Sequence, residues 1–471
     1  MTKVLITGAT GQVGSHLAYY IAKNQELEIS SPEDIICLIR NPTPHRTLFL
    51  NKVGVTIVEG DLSNKEVMEE ILSDADVKHV FHAAANCNPG ASYREIYKPN
   101  VLGTRNLLEA FSDSEAKSFI FCSSIAVYKT FMSVDSVIIV DEDSPIGSLE
   151  QGEPYAISKR KSEIMIKKYA KQHRNKSYII TRLGVLIGPR DRLVLPSFVT
   201  FLGLSFVPKL ISQGRDYISV TSPLDVCRAQ VFLAKKGQEI SGEIYNVAGQ
   251  PVTYRRIFEC MSEYFNMVPP QLSIPMWAFN MFKPFLDLIR KLLPNNEFVQ
   301  KVLSPSSLGF IGKSYIYKTD KIESLGFEFM VSAKDTIIAG LKEYCPNGRI
   351  KEPYIVTEWK EQILGFFNVL EQGMADLQKQ MESDAKKRQH KAIKRQAQRR
   401  ARRNPEKALL TAEEELEKAS QLEEKANKIV EEAKKETTMV IQNAKNKLKK
   451  AELLQRRAKA TKKAAKKRLE S

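Results

Sequence analysis

The sequence predicts an α/β protein: a doubly wound parallel sheet flanked by helices, a smaller C-terminal part, and a long helical, coiled-coil-like tail. Three observations carry this reading. Short apolar runs alternate with helix-patterned segments from the start of the chain. The chain opens as strand, glycine-rich turn and helix: Val4-Leu5-Ile6-Thr7-Gly8-Ala9-Thr10-Gly11-Gln12-Val13-Gly14, then residues 15–23. The composition also shifts after residue 350. Residues 351–471 hold 31 Lys and Arg against 19 acids, which is +12 of the chain's +16.

The predicted strands are 3–7, 34–39, 56–59, 79–82 and 118–122, followed by 177–182 and 242–247. Helical patterns fall between them, at 64–73 and 101–111, and a longer one runs from Tyr155 to residue 172. Strands alternating with helices imply right-handed crossovers and a parallel sheet. In the opening turn, Gly8 lets the chain leave the strand sharply, Gly11 leaves room for a pyrophosphate, and Gly14 allows close helix–strand packing. Thr10, Gln12 and Val13 complete the loop. The helix N-terminus presents N–H groups and partial positive charge to the phosphates. A glycine turn alone is common; strand before and helix after make it a nucleotide-binding loop. The spacing is Gly-x-x-Gly-x-x-Gly.

Further cofactor-facing signals follow. The second strand ends at Arg40, where an acid would bind the ribose hydroxyls of NAD. An arginine there suits a 2′-phosphate and favours NADP over NAD; the alternative is a solvated surface arginine. Gly60-Asp61-Leu62 follows strand three, with Asp61 placed to accept from the adenine amino group. His82-Ala83-Ala84-Ala85 closes strand four. Ala83 and Ala84 are small enough for a cofactor to lie on the backbone, and His82 reads as a packed histidine.

Strand five ends in Cys122-Ser123-Ser124, and Tyr155-Ala156-Ile157-Ser158-Lys159 opens the long helix. Tyr155 and Lys159 are four apart and share a helical face. Exchange of hydride at a secondary alcohol needs a proton acceptor on the same carbon. A tyrosine serves if a nearby lysine cation lowers its pKa, and a serine holds the substrate oxygen. Tyr-x-x-x-Lys alone is weak; behind the glycine turn and Ser123-Ser124 it is strong.

These residues resemble the extended short-chain dehydrogenases/reductases, of the NAD-dependent epimerase/dehydratase kind. The matching pieces are residues 7–14, Gly60-Asp61-Leu62, 82–85, Asn100-Val101-Leu102-Gly103-Thr104, 123–128, 155–159, 182–190 and Tyr245-Asn246-Val247. The resemblance covers residues 1–346 and implies a Rossmann core (mainly 1–185 plus 215–250) with a substrate-binding part (mainly 186–214 and 251–346). It implies a catalytic set of Ser124, Tyr155 and Lys159, with Ser123 the alternative serine. Lys159 would also bind the nicotinamide ribose, and Asn100 would support it through the helix backbone. It further implies a homodimer through the helices after strands four and five. One departure is informative: where sugar-nucleotide dehydratases carry acids after the strand-five serine or threonine, this chain has Ile125 and Ala126. Without a carboxylate to protonate a leaving hydroxyl, dehydration is disfavoured. Alcohol–ketone interconversion, or epimerisation through a transient ketone, remains.

The substrate half is apolar at 193–212 and 269–293, the second stretch carrying Trp277, Phe279, Met281, Phe282, Phe285, Leu286 and Ile289. This suggests an apolar substrate or a membrane-surface contact; the alternative is a core helix pair. A looser similarity to the 3β-hydroxysteroid dehydrogenase branch rests on 245–252, Ile274-Pro275 and Leu325-Gly326-Phe327, and implies a sterol- or isoprenoid-like alcohol. The alternative substrates are nucleotide sugars, handled by an epimerase with tightly bound NAD. A third reading is a cofactor-binding scaffold.

Residues 347–383 read as an amphipathic linker helix, with Ile355, Trp359, Ile363, Phe366, Phe367, Leu370, Met374, Leu377 and Met381 at helical spacing. Residues 384–471 form a basic tail. Ten Lys and Arg fall in 386–403 without an acid, and twelve with one acid in 445–468. No aromatics interleave in the first run, so an RNA contact would be to phosphates and without sequence preference; anionic membrane is an equal candidate, and a solvated helix is the alternative to both. An alanine-rich heptad seam from Ala412 to Ala458 favours a weak coiled coil with a partner. The six scattered cysteines show no Cys-x-x-Cys pair, which predicts a reducing, cytoplasmic setting and no metal site. The first strand occupies the N-terminus in place of a signal peptide, and no apolar run approaches a membrane span.

Overall fold

The computed structural model describes residues 2–88, 91–128, 137–203, 210–271, 273–292 and 312–348, together with Ser420 and Glu424. The chain divides into two compact units, Met1–Ile355 and Val356–Ser471. The predicted linker helix beyond residue 348, the basic runs and the heptad seam lie outside the described residues, apart from Ser420 and Glu424, which are helical.

The first unit is built on seven parallel strands: β1 (Lys3–Thr7), β2 (Ile35–Ile39), β3 (Thr56–Glu59), β4 (Val77–His82), β5 (Ser118–Ser124), β7 (Ser177–Leu183) and β11 (Ile244–Val247). The short β6 (Val137–Val140) and β8 (Val185–Leu186), β9 (Leu210–Ile211) and β10 (Tyr217–Thr221) lie outside this sheet. Its order is β3-β2-β1-β4-β5-β7-β11. All six pairings are parallel. The sequence-predicted strands fall within two residues of these bounds. Alternate residues of β1 face opposite layers, as a period of two requires. Val4 and Ile6 pack with Leu17 and Ile21 of α1 (Gln12–Asn24), Leu50 of α2 (Pro44–Val53) and Val226 and Leu233 of α8 (Pro223–Lys236). Leu5 faces the other way, onto Met68 of α3 (Lys65–Leu72), Leu107 and Phe111 of α5 (Gly103–Ser112) and Ile166 of α6 (Pro154–Gln172). With both faces covered, the central strands are nearly continuous apolar runs.

The chain leaves β1 toward β2 and β3, then crosses back to β4 on the other side. That reversal opens a crevice beyond the C-terminal ends of β1 and β4, where open α/β sheets place ligands. The helix predicted at 101–111 starts earlier. α4 (Tyr93–Tyr97) runs through a π-turn, Lys98–Leu102, into α5.

A second apolar core joins Leu195 and Val199 of α7 (Val194–Gly203), Ile218 and Val220 of β10, Ile257 and Met261 of α9 (Tyr254–Tyr264) and Ile337 and Leu341 of α12 (Ala333–Tyr344). β12 (Pro251–Thr253), β10 and β8 form a three-stranded sheet; β13 (Ser273–Ile274) pairs with β9, and β14 (Ser314–Tyr317) with β6. α10 (Met276–Leu292) and the one-turn α11 (Asp320–Glu323) complete the described elements. No helix among the described residues is long and apolar enough to cross a membrane.

Candidate active site

The glycine loop sits at the β1–β4 reversal. Gly8 has φ +71°, and a Cβ there would lie 2.5 Å from the Ala84 nitrogen and 2.7 Å from the Ala83 carbonyl carbon. A Cβ on Gly14 would lie 2.5 Å from the Gly8 oxygen, whereas one on Gly11 meets only that oxygen at 3.2 Å. Gly8 and Gly14 are therefore demanded by backbone packing, whereas the backbone around Gly11 leaves open space beyond that one contact. Gly11 is the N-cap of α1 and supplies no capping side chain. The first-turn N–H groups of Gln12 and Val13 thus have no intrahelical partner. An uncapped helix end behind a turn in which Gly8 and Gly11 carry no side chain fits the pyrophosphate of a dinucleotide. The Gln12 side chain turns away and donates to the Pro189 carbonyl at 3.0 Å. Arg190 donates from Nε to Ser15 Oγ at 2.7 Å and stacks 4.4 Å over the Phe49 ring, pinning this segment to α1.

At the adenosine edge, the Arg40 side chain is 70% exposed and lies 3.8 Å from Asp61. Burial pushes the Asp61 carboxyl up, but hydrogen bonds from Ser63 and the charges of Arg40 and Lys98 outweigh it and hold it below its ordinary range. The two predicted cofactor contacts thus face each other. Leu62 is core: its side chain packs with Leu38 and Met68, close to Gly103, and its carbonyl accepts from Asn106 Nδ2 at 2.9 Å, so the side chain does not meet a cofactor.

His82 is buried, and burial with the Lys159 charge pulls its imidazole down to about 3. The Ala84 N–H donates to Thr7 Oγ1 (3.3 Å), Thr7 Oγ1 meets His82 Nδ1 (2.7 Å), His82 Nε2 meets Thr104 Oγ1 (2.8 Å), and Thr104 donates to the Asn100 carbonyl (2.5 Å). This order closes with the proton on Nε2. His82 is a neutral strut that orients the Thr7 hydroxyl, and Thr7 holds the Ala83 and Ala84 N–H groups.

Tyr155 and Lys159 lie on α6 and Ser124 at the end of β5. Ser123 is committed elsewhere: its hydroxyl donates to Glu163 Oε1 at 2.5 Å. Ser124 accepts from the Ala126 N–H at 3.2 Å, and its hydroxyl is near enough to Tyr155 to act on the phenol. The expected lowering of the Tyr155 pKa is not what the fold produces. Burial pushes the phenol above its ordinary value, against the lowering influence of the Ser124 hydroxyl. Lys159 Nζ is 5.8 Å from the Tyr155 ring centroid and donates instead to the Cys122 carbonyl at 2.6 Å. Burial brings the Lys159 ammonium down to about 8. Asn100 braces the helix without touching Lys159. Its amide donates to Asn86 O and Ser158 Oγ at 3.1 and 3.0 Å, and its carbonyl accepts from Ser162 Oγ at 3.0 Å.

The model of the NAD dependent epimerase/dehydratase family matches residues 4–248. The chain belongs to that family. It is an enzyme of the extended short-chain dehydrogenase/reductase type, with a nicotinamide dinucleotide as cofactor. Two curated relatives and one solved structure show its breadth. A dTDP-D-glucose 4,6-dehydratase of Dictyostelium discoideum is 27% identical over 52% of this chain and 58% of its own length. A 3beta-hydroxysteroid-dehydrogenase/decarboxylase, isoform 1, of Arabidopsis thaliana is 24% identical over 76% of this chain and 84% of its own. The UDP-glucuronic acid 4-epimerase of Bacillus cereus in complex with NAD shares the fold, with a TM-score of 0.56 and 19% identity, covering 74% of this chain and all of that one.

Two features of this family member were not singled out from the sequence. Arg182 holds Glu163 through Nε and Nη2 at 3.0 and 2.8 Å, a buried pair that also takes the Ser123 hydroxyl. Arg160 donates only to backbone carbonyls. Glu163 lies four residues past Lys159, a spacing that flags a shared face. Nothing in the sequence pairs it with Arg182. In the substrate part, a cavity of about 630 Å³ is lined by Arg215, Gln213, Val137, Ile274 and Met276 among others. Among the described residues no cluster of three or more His, Cys or acidic side chains is placed to hold a metal.

Proposed function

We propose that this enzyme interconverts a secondary alcohol and a ketone with NAD(P), on an apolar, sterol- or isoprenoid-like substrate. The arrangement that carries the reaction type is Ser124 at the C-terminal end of β5, close enough to lower the pKa of the Tyr155 phenol, with Lys159 one helical turn on. The nicotinamide supplies a hydride acceptor or donor when bound. The chain supplies the rest. Ser124 orients the substrate oxygen, Tyr155 gives or takes its proton, and Lys159 stabilises the tyrosinate and holds the ribose. A protonated Tyr155, favoured by its burial, suits it to act as the acid in reduction. Ile125 and Ala126 follow Ser124 with no carboxylate, which disfavours dehydration. Arg40 favours NADP.

The apolar substrate is supported by Val137, Ile274, Pro275 and Met276 in the cavity and by the exposed Trp277 and Met281 of α10. Arg215, Gln213 and Ser212 in the same lining favour a second reading, a nucleotide-sugar epimerase. The two separate by cofactor behaviour. Purified protein is heat-denatured and the supernatant assayed for released NAD(H), and native protein is assayed with NADP+ and a 3β-hydroxysterol in micelles. The first reading expects sterol-dependent NADPH formation; retained NAD(H) with UDP-glucose converted to its epimer and no net cofactor turnover would sink it. A homodimer through the helices after β4 and β5 is supported by the exposed Tyr93 and Ile164. A cytoplasmic enzyme, peripheral at an anionic membrane through its basic tail, completes the proposal.

A further inference from the structure

Helix α6 grips the main chain on both sides of Ser124. Lys159 donates to Cys122 O at 2.6 Å, Glu163 accepts from the Ser123 hydroxyl at 2.5 Å, and Arg160 reaches past Ser124. Arg160 donates from Nε to Val127 O at 2.8 Å and from Nη2 to Ala126 O at 3.3 Å. Its remaining terminal nitrogen, Nη1, donates to Ser148 O at 2.5 Å, in the segment that runs into Tyr155. Gly147 makes room for this fork: a Cβ there would lie 2.2 Å from Nη2 and 2.4 Å from Cζ.

Arg160 is 6% exposed, and no carboxylate forms an ion pair with it among the described residues. Glu163, the acid nearest in sequence, is taken by Arg182 and Ser123. Burial pushes the Arg160 guanidinium below its ordinary pKa, opposed by Glu163. Burying a cation this way is costly, and an apolar side chain would fill the space more cheaply. What only a guanidinium offers is a rigid plane of donors matched to three carbonyls.

We propose that Arg160 is a positioning residue for the Ser124–Tyr155 pair. It ties the loop after β5, and the segment entering α6, to the helix that carries Tyr155, and so fixes the separation of the two hydroxyls. This rests on the reading above, in which both meet the substrate oxygen. Misplacement by a fraction of an ångström there lowers the rate of the chemical step while leaving binding intact.

The test compares the full-length wild type with Arg160→Met, Arg160→Lys, Gly147→Ala and Tyr155→Phe. Gly147→Ala displaces the fork without removing a buried charge, so it serves if Arg160→Met fails to fold. Hydrogen exchange is followed at the Tyr128 and Gly147 amides, and NADPH-dependent reduction of cholestanone in micelles gives kcat and KM. The expected result for Arg160→Met and Gly147→Ala is exchange faster by about tenfold or more and kcat lower by a similar factor. KM and NADPH affinity should stay within about threefold, and Arg160→Lys should recover part of the loss. Exchange and kcat within about twofold of wild type, even with a lowered melting temperature, would reduce Arg160 to a core filler and overturn the proposal. If Tyr155→Phe stays active, or cholestanone is not reduced, the Ser–Tyr reading fails. The exchange data then decide alone whether Arg160 holds the loop, and unchanged exchange overturns that as well.

Discussion

Lys159 is 2% exposed, with its ammonium aimed at a strand-end carbonyl and held down to about 8. Two pH effects follow. A lysine that must be cationic to hold the ribose and support Tyr155 makes cofactor-dependent kcat/KM fall as pH rises through about 8. The Lys159→Met variant should be slow and lack that limb. For stability, folded and unfolded chains are both protonated there below pH 8, and above it the unfolded lysine keeps a proton the folded one loses. Stability therefore gains up to about 1.4 kcal/mol per pH unit from this group between about 8 and 10.5. Urea titrations at pH 7.5 and 9.5, wild type against Lys159→Met, read it. The two adjacent serines should separate cleanly. Ser124→Ala should cost roughly 10²-fold in kcat with little change in stability. Ser123→Ala strips a donor from buried Glu163 and should cost about 1–3 kcal/mol by urea unfolding, with turnover retained. At this scale the Tyr-x-x-x-Lys spacing, read together with the glycine turn and Ser123-Ser124, singled out Tyr155 and Lys159 as candidates, but not the direction of their ionisation. That depends on burial and on where Nζ points, neither of which has a sequence signature.

The elements that matter most are β1, the glycine turn and α1. Gly8→Ala should lose both stability and cofactor affinity, because its Cβ would meet backbone atoms of Ala83 and Ala84, which cannot give way, at a positive φ. Gly11→Ala meets only the Gly8 oxygen at 3.2 Å. It should keep stability within about 1 kcal/mol while weakening NADPH binding by roughly tenfold or more. Fluorescence titration and urea unfolding on both variants separate the two roles. The main strands were legible because apolar runs of four to seven residues, bounded by turns, are what a doubly covered parallel sheet requires. The π-turn at Lys98–Leu102 was not. Its wider winding is fixed by the Ser162 and Thr104 hydroxyls on the Asn100 carbonyl, partners distant in sequence or one helical turn away. The small strands β8, β9 and β13 are two residues each and too short to show a period.

At the scale of the molecule, the enzyme unit ends near Ile355, and the strongly basic segment belongs to the second unit. A protein ending at residue 355 should retain NADPH affinity and turnover within about twofold, yet lose salt-sensitive binding to heparin or anionic vesicles, because that term scales with the cations removed. Co-sedimentation at low and high salt decides it. Family and cofactor class were legible as a whole because the motif residues follow in fixed order: Gly8–Gly14 after β1, Ser124 at the end of β5, Tyr155 and Lys159 on α6. Substrate identity was not, because the cavity draws Val137, Arg215, Ile274 and Ser314 from four separated segments joined only by the fold. The most direct test of the central claim is transfer of deuterium from NADPH labelled at the reactive carbon to C3 of cholestanone, followed by mass spectrometry with wild type and Tyr155→Phe side by side. The wild type should give a deuterated 3-hydroxysterol and the variant none above background, with NADPH still bound by both. Label transfer that survives in Tyr155→Phe, or no transfer by a wild type that epimerises UDP-glucose without consuming cofactor, would contradict it.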